Sequence, residues 1–131
     1  MANREGPAIR DQYVWRFRPL LIFGPSDDAS ILGRQRTIVE ASSDGMLERD
    51  MVVVEIVGNR VKTIIGDECR VTAPELRARF QVPAEEFCVV LVGKDGGVKL
   101  REVAPVEATR LFALIDSMPM RQREITGQNR N

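Results

Sequence analysis

Phe87–Arg101 reads F-C-V-V-L-V-G-K-D-G-G-V-K-L-R. Apolar residues run without a break from Phe87 to Val92, a Gly-rich turn follows, and then Val98, Lys99, Leu100 and Arg101 alternate. The apolar run is too short for a buried helix and is rich in Val, so it reads as a central strand covered on both faces. Gly93, Gly96 and Gly97 let the chain reverse through positive φ at little cost. The alternating segment then returns as an antiparallel neighbour with one wet face. Pro105 opens a last helix in which Leu111, Leu114, Ile115 and Met118 follow an i, i+3, i+4, i+7 pattern, and Pro119 ends it.

Upstream, Pro19–Phe23 gives a first buried strand, with Leu20, Leu21, Ile22 and Phe23 as its apolar run, closed by Gly24-Pro25. A helix is predicted from about Asp28 to Ser42, with Ile31, Leu32, Gln35, Ile38 and Val39 on one face and Ser43-Asp44-Gly45 as its stop. Met51–Val57 is a second buried strand, parallel to the first through the right-handed crossover that such a helix implies. Gly58-Asn59 signals a hairpin into Arg60–Ile65, an edge strand. Thr72-Ala73-Pro74-Glu75 is a capping box that opens a short helix through Phe80. Tyr13–Phe17, which carries the single Trp and single Tyr, is expected to pack over the sheet edge. The order predicts one α/β domain over residues 13–124, a mixed sheet with helices on both faces. Residues 1–12 are expected to form a flexible arm, and 125–131 a fraying tail.

Composition narrows the function. A chain of 131 residues suits one domain with a real core. Lys+Arg and Asp+Glu are equal at 19 each, so no net field draws in nucleic acid or an anionic membrane. No apolar run approaches the roughly 20 residues of a membrane span. Histidine is absent, which removes Ser-His-Asp and Cys-His catalysis and the usual zinc sites. The two cysteines, Cys69 and Cys88, form no C-x-x-C, so neither a redox motif nor a metal knuckle follows, and no cofactor or metal is expected. Residues 1–12 lack the apolar core of a signal peptide. A removed leader would place the chain in the periplasm; otherwise the cytosol is the default.

Four strings carry a resemblance: W-R-F-R-P-L-L-I-F (Trp15–Phe23), L-E-R-D-M-V-V-V-E-I-V (Leu47–Val57), L-V-G-K-D-G-G-V-K-L-R (Leu91–Arg101) and I-D-S-M-P-M-R (Ile115–Arg121). Together they closely resemble the bacterial family called domain of unknown function 4174, over roughly Trp15 to Glu124. That family is similar to domains of extracellular proteins such as equarin and the sushi-repeat-containing proteins. The resemblance implies a thioredoxin-like fold, in agreement with the element order, and brings no catalytic residues to carry over. In working thioredoxins the helix after the first strand begins with the active cysteines. Here that place reads Gly24-Pro25-Ser26-Asp27-Asp28-Ala29. The usual proline just before the third main strand is also displaced, to Pro83, with Ala84-Glu85-Glu86 between it and Phe87.

Candidate sites are few. Ser26, Asp27 and Asp28 replace the thiol site, where they cap the helix or attract a cation or basic partner. Cys88 lies in a buried strand, where a thiol packs and stays inert. Cys69 lies in the polar connection Gly66–Arg70, where Asp67 and Glu68 disfavour a thiolate and Arg70 favours it. Should the two cysteines meet, a structural disulfide is the expected outcome. Gly93–Gly97 mimics a phosphate loop, but a strand follows it instead of the required helix. Met118, Met120, Arg121 and Arg123 form the candidate interaction surface: soft apolar side chains beside two guanidiniums able to clamp a carboxylate or phosphate. The plainer reading puts those arginines at the negative pole of a helix end.

These features predict a non-catalytic module that binds an unknown protein or small molecule. One alternative is an atypical thiol oxidoreductase or peroxidase using Cys69, with Cys88 as resolving residue. Another is a self-associating domain, a homo-oligomer paired through Arg60–Ile65.

Overall fold

The computed structural model describes residues 12–26 and 29–129. Five strands, β1 (Arg18–Gly24), β2 (Met51–Val57), β3 (Arg60–Ile65), β4 (Cys88–Val92) and β5 (Val98–Glu102), form one sheet in the order β3-β2-β1-β4-β5. β1 runs parallel to β2 and antiparallel to β4; the two edge strands pair antiparallel to their neighbours. Every residue of β1, β2 and β4 is buried, as expected of apolar runs with both faces covered. β3 and β5 keep exposed positions, consistent with edges. Gly96, at φ +87, makes the reversal between β4 and β5 that a side chain would strain.

Alternate residues divide the core into two layers. Leu21, Phe23, Val52, Val54, Ile56, Val90 and Val92 face one way and pack on α3 (Ala73–Phe80) and Tyr13. Leu20, Ile22, Met51, Val53, Val89 and Leu91 face the other way, onto α1 (Ser30–Ala41), α2 (Ser43–Glu48) and α4 (Ala108–Asp116). A last helix, α5 (Pro119–Asn129), follows α4. The sheet is therefore mixed and carries helices on both faces. Thr72 caps α3 as the capping box predicts, its hydroxyl oxygen accepting from the Glu75 amide at 3.4 Å.

Three junctions differ in detail from those predicted. α1 ends at Ala41, beside the predicted stop, but Ser43-Asp44-Gly45 is itself helical: after a break at Ser42 a second helix, α2, begins. Gly45 sits there because a Cβ would stand 2.7 Å from the Phe112 ring of α4; it is a packing glycine rather than a stop. α4 starts at Ala108, later than Pro105, because the buried Gln35 amide ties up the Val106 backbone groups. Gln35 donates to the Val106 carbonyl at 3.0 Å and accepts from its amide at 2.7 Å. Pro119 does not terminate the chain's helices but opens α5, whose N1 position suits a residue without an N–H.

The predicted arm lies outside the described residues except for Gln12, and Gln12 is buried. Its side chain donates to the Glu68 carbonyl at 2.6 Å and accepts from the Arg70 amide at 2.9 Å. Within the predicted tail, α5 continues through Asn129. The aromatic patch divides: Tyr13 is buried, with its hydroxyl donating to the Asp67 carbonyl at 2.8 Å, whereas Trp15 stands in solvent.

Candidate functional site

The C-terminal end of β1 is where a thioredoxin would hold its thiols. α1 starts there at Ser30, with Ala29 as N-cap and no side-chain cap. Ser26 precedes that cap and its carbonyl accepts from the Ala29 amide at 3.2 Å. Asp27 and Asp28 lie outside the described residues. Cys88 pairs in register with Phe23 at this end, yet it is 1% exposed, and Cys69 is 8% exposed. Both are free thiols in one core layer. Burial pushes the Cys69 thiol up, against the lowering effect of its hydrogen bond to Val71, its contact with Tyr13 and the Arg70 charge. Burial likewise pushes the Cys88 thiol up, with Arg101 opposing. Nearby, Glu55 is buried in β2 and held by a two-point Arg36 fork at 2.6 and 3.1 Å.

The opposite end of the sheet, where β1 begins and β4 finishes, carries most of the charge chemistry. Arg18 opens β1, is 1% exposed, and donates to the Arg49 carbonyl at 2.8 Å and to both Glu124 oxygens at 3.3 and 3.2 Å. Lys94, just past β4, reaches Glu124 at 2.7 Å and Asp50 at 2.8 Å. Arg49 grips Asp116 at 3.1 and 2.9 Å while stacking over the Phe112 ring at 4.0 Å. Arg121 donates to Asp116 at 3.1 Å and to Glu48 at 3.2 Å. Four cations thus alternate with Glu48, Asp50, Asp116 and Glu124, and the network ties α5 to the sheet. Burial would raise the Glu124 carboxyl, but hydrogen bonds and charge from Lys94 and Arg18 outweigh it and hold it below the usual carboxylate range. Asp116 is lowered too, first by the Arg49 hydrogen bond, with Arg121 adding to it against burial.

Against this network lies a groove of about 380 Å³. Trp15, Leu114, Met118, Pro119 and Met120 supply its apolar lining; Arg18, Lys94, Lys99 and Arg123 supply cations, and Asp95 one carboxylate. Lys99 is paired with Asp95 at 3.0 Å. Arg123 is exposed and makes no ion pair with a described residue. Trp15 is 63% exposed and sits at φ +68, a region that a bulky side chain enters only under strain. Its amide is held by the Lys94 carbonyl.

Of the residues singled out in sequence, the structure brings Met118, Met120 and Arg123 together in this groove. Arg121 does not stand on the surface with them. It is 2% exposed and occupied by Asp116 and Glu48. Pro119 opens a new helix, so the Arg121 backbone lies in the first turn of α5, yet its guanidinium still reaches Asp116, the last residue of α4. Sequence reading missed Trp15, Arg18, Lys94 and Lys99 as members of one site. Trp15 had a signal, as the single Trp beside cationic residues. Arg18 is far in sequence from Lys94 and Lys99 and meets their hairpin only because β1 and β4 pair antiparallel.

A five-stranded mixed sheet layered between helices, with β1 and β2 joined by a helical crossover, defines a thioredoxin-like protein. Solved structures agree: the chain superposes on a Plasmodium yoelii thioredoxin peroxidase I with a TM-score of 0.62 at 13% identity, covering 86% of this chain and 79% of that one. A reduced 2-Cys peroxiredoxin from Plasmodium vivax gives 0.56 at 12% identity, covering 86% and 83%. These likenesses concern the fold alone.

The chain belongs to the family described as domain of unknown function (DUF4174), which matches residues 10–124. It is similar to the human sushi repeat-containing protein SRPX, 32% identical over 130 residues, 95% of this chain and 28% of that protein. The rat protein of that name is 32% identical over 127 residues, 93% and 27% respectively. Coiled-coil domain-containing protein 80 from zebrafish, Danio rerio, is 27% identical over 134 residues, 89% of this chain and 16% of that protein. The chain thus spans about a quarter or less of the length of these relatives. No helix among the described residues is long and apolar enough to cross a membrane.

Proposed function

We propose that this domain is a non-catalytic binding module, which takes a small molecule or a short protein segment in the groove beside Trp15, Met118 and Met120. The observation that carries the reading is a strained, exposed Trp15 facing methionines and cations in one concave site. Proteins rarely leave a large aromatic side chain in solvent in a costly backbone conformation unless a contact uses it. Methionines adapt to varied apolar shapes, and a groove of this size falls within the roughly 300–1,000 Å³ of small-molecule sites.

The burial of both thiols supports the absence of disulfide chemistry. A redox site needs an accessible thiolate, and burial favours the protonated form of Cys69 and Cys88. Trp15 is the single tryptophan, so its emission reports on the groove directly. Titration with a mixed set of small acids, bases and neutral aromatic compounds is expected to shift that emission saturably for one class. The response should disappear in the double variant Met118→Ser, Met120→Ser. The same protein should reduce a model disulfide no faster than the thiol reagent alone. Catalytic reduction, or an emission unmoved by every compound, sinks this reading.

A further inference from the structure

We propose that the ligand of this groove is a small organic anion, a single carboxylate on an apolar, ring-bearing body; this rests on the binding reading above and names its chemistry. The donors and the free charge at the groove point to a negative ligand. α5 opens at the groove: Met118, Pro119 and Met120 line it, and the first turn of α5 contains no acidic residue. The first-turn amides of a helix lack intrahelical acceptors and carry about half a positive charge. Arg18 lines the same groove with its side chain 1% exposed, and its Nε is buried without any hydrogen-bond partner. That Nε is closed off from the groove, and the Nη1 and Nη2 groups already donate to the Arg49 carbonyl and to Glu124, so Arg18 braces the wall and leaves ligand contact to other groups. Arg123 lines the groove as an exposed cation with no ion-pair partner among the described residues.

The charge count selects the head group. Arg18 and Lys94 are already offset by Glu124 and Asp50, and Lys99 by Asp95. What remains uncancelled is Arg123, about one charge, because the half-charge at the start of α5 is offset by the opposite half-charge at the end of α4 beside it. That matches one carboxylate better than a phosphate dianion. The apolar side of the groove selects the body: Trp15 offers a flat face, and Leu114, Met118 and Met120 an adaptable wall. The volume of about 380 Å³ holds a ring and a short chain rather than a folded partner.

The test uses 4-phenylbutyrate and its neutral counterpart 4-phenylbutanol, read by Trp15 emission and by calorimetry. The acid is expected to bind saturably, at least about tenfold more tightly than the alcohol, and to weaken with added salt. In Arg123→Gln, an exposed change that leaves the core untouched, the acid should lose about tenfold while the alcohol is unaffected. Equal binding of acid and alcohol, or an Arg123→Gln variant that binds the acid normally, overturns the assignment. So does binding of Trp15 to anionic phosphatidylserine vesicles without binding of the free acid, which would mark a lipid surface as the partner. Neutral or basic compounds from the mixed set that move Trp15 while acids do not would sink the anion alone; silence from every compound sinks the binding reading with it.

Discussion

Trp15, Arg121 and the two cysteines show how far a side chain's role depends on its surroundings. Trp15 carries backbone strain of roughly 1–3 kcal/mol and keeps its indole in water, two costs that a hydrophobic core position would not impose. Arg121, by contrast, spends its charge inside the molecule. A residue pattern cannot separate these fates, because both positions lie among mixed apolar and cationic neighbours. Cys88 was legible, since a thiol within a continuous apolar strand has nowhere to go but the core. Cys69 was not: its neighbours are polar, and it is buried only because Gln12 and Tyr13 fold over that connection. Both thiols should resist a thiol-specific dye in the native state and react fully once the chain is unfolded in denaturant. Rapid native labelling of either would restore the redox reading.

Helix α5 illustrates an element placed by charge more than by apolar burial. Its sequence, P-M-R-Q-R-E-I-T-G-Q-N, lacks a continuous apolar stripe, and sequence reading accordingly treated its second half as tail. Arg121 and Glu124 instead dock it through the network at the start of β1. Glu124→Gln would leave Arg18 buried with much of its charge uncompensated. We expect a loss of about 2–3 kcal/mol, below the full buried-pair cost because Glu124 is partly open to water. The network also sets an acid limit. Glu124 and Asp116 have folded pKa values below their unfolded ones, so the stability they add is present above the unfolded carboxylate range. It is lost as pH falls through the folded values. Urea midpoints should therefore drop as pH falls below about 4, and less steeply in Glu124→Gln. A wild-type midpoint unchanged from neutral pH to pH 3 would contradict this. The N-terminal cap of α3 belongs with the legible features: a capping box is local, so four consecutive residues specify it.

Taken together, the elements give the molecule two unlike ends. At one, the helix start that holds thiols in redox relatives of this fold is begun by Ala29 without a side-chain cap, and the nearby carboxylate Glu55 is closed off by Arg36. At the other, a groove forms between the turn after β4, the start of β1 and the junction of α4 with α5. The sheet's outer strands carry charge where another chain would pair: Arg60 and Lys62 on β3, Lys99 and Arg101 on β5. Such charges oppose edge-to-edge association. Sedimentation at high concentration is therefore expected to show a monomer; a dimer abolished by proline in β3 would instead support pairing through Arg60–Ile65.

Strand identity, the buried character of β1, β2 and β4, the capped α3 and the mixed α/β order were all written in local pattern. Hydrophobic period and turn chemistry act between near neighbours, so a few consecutive residues suffice to specify them. The groove was not written there. Trp15, Arg18, Lys94, Met118 and Arg123 come from three separate stretches, and only the antiparallel pairing of β4 on β1 and the docking of α5 place them side by side. That Arg121 and Arg123 stand on a new helix was equally a tertiary outcome. Pro119 can end one helix or begin another, and the ion pairs that hold α5 against the sheet favour the second.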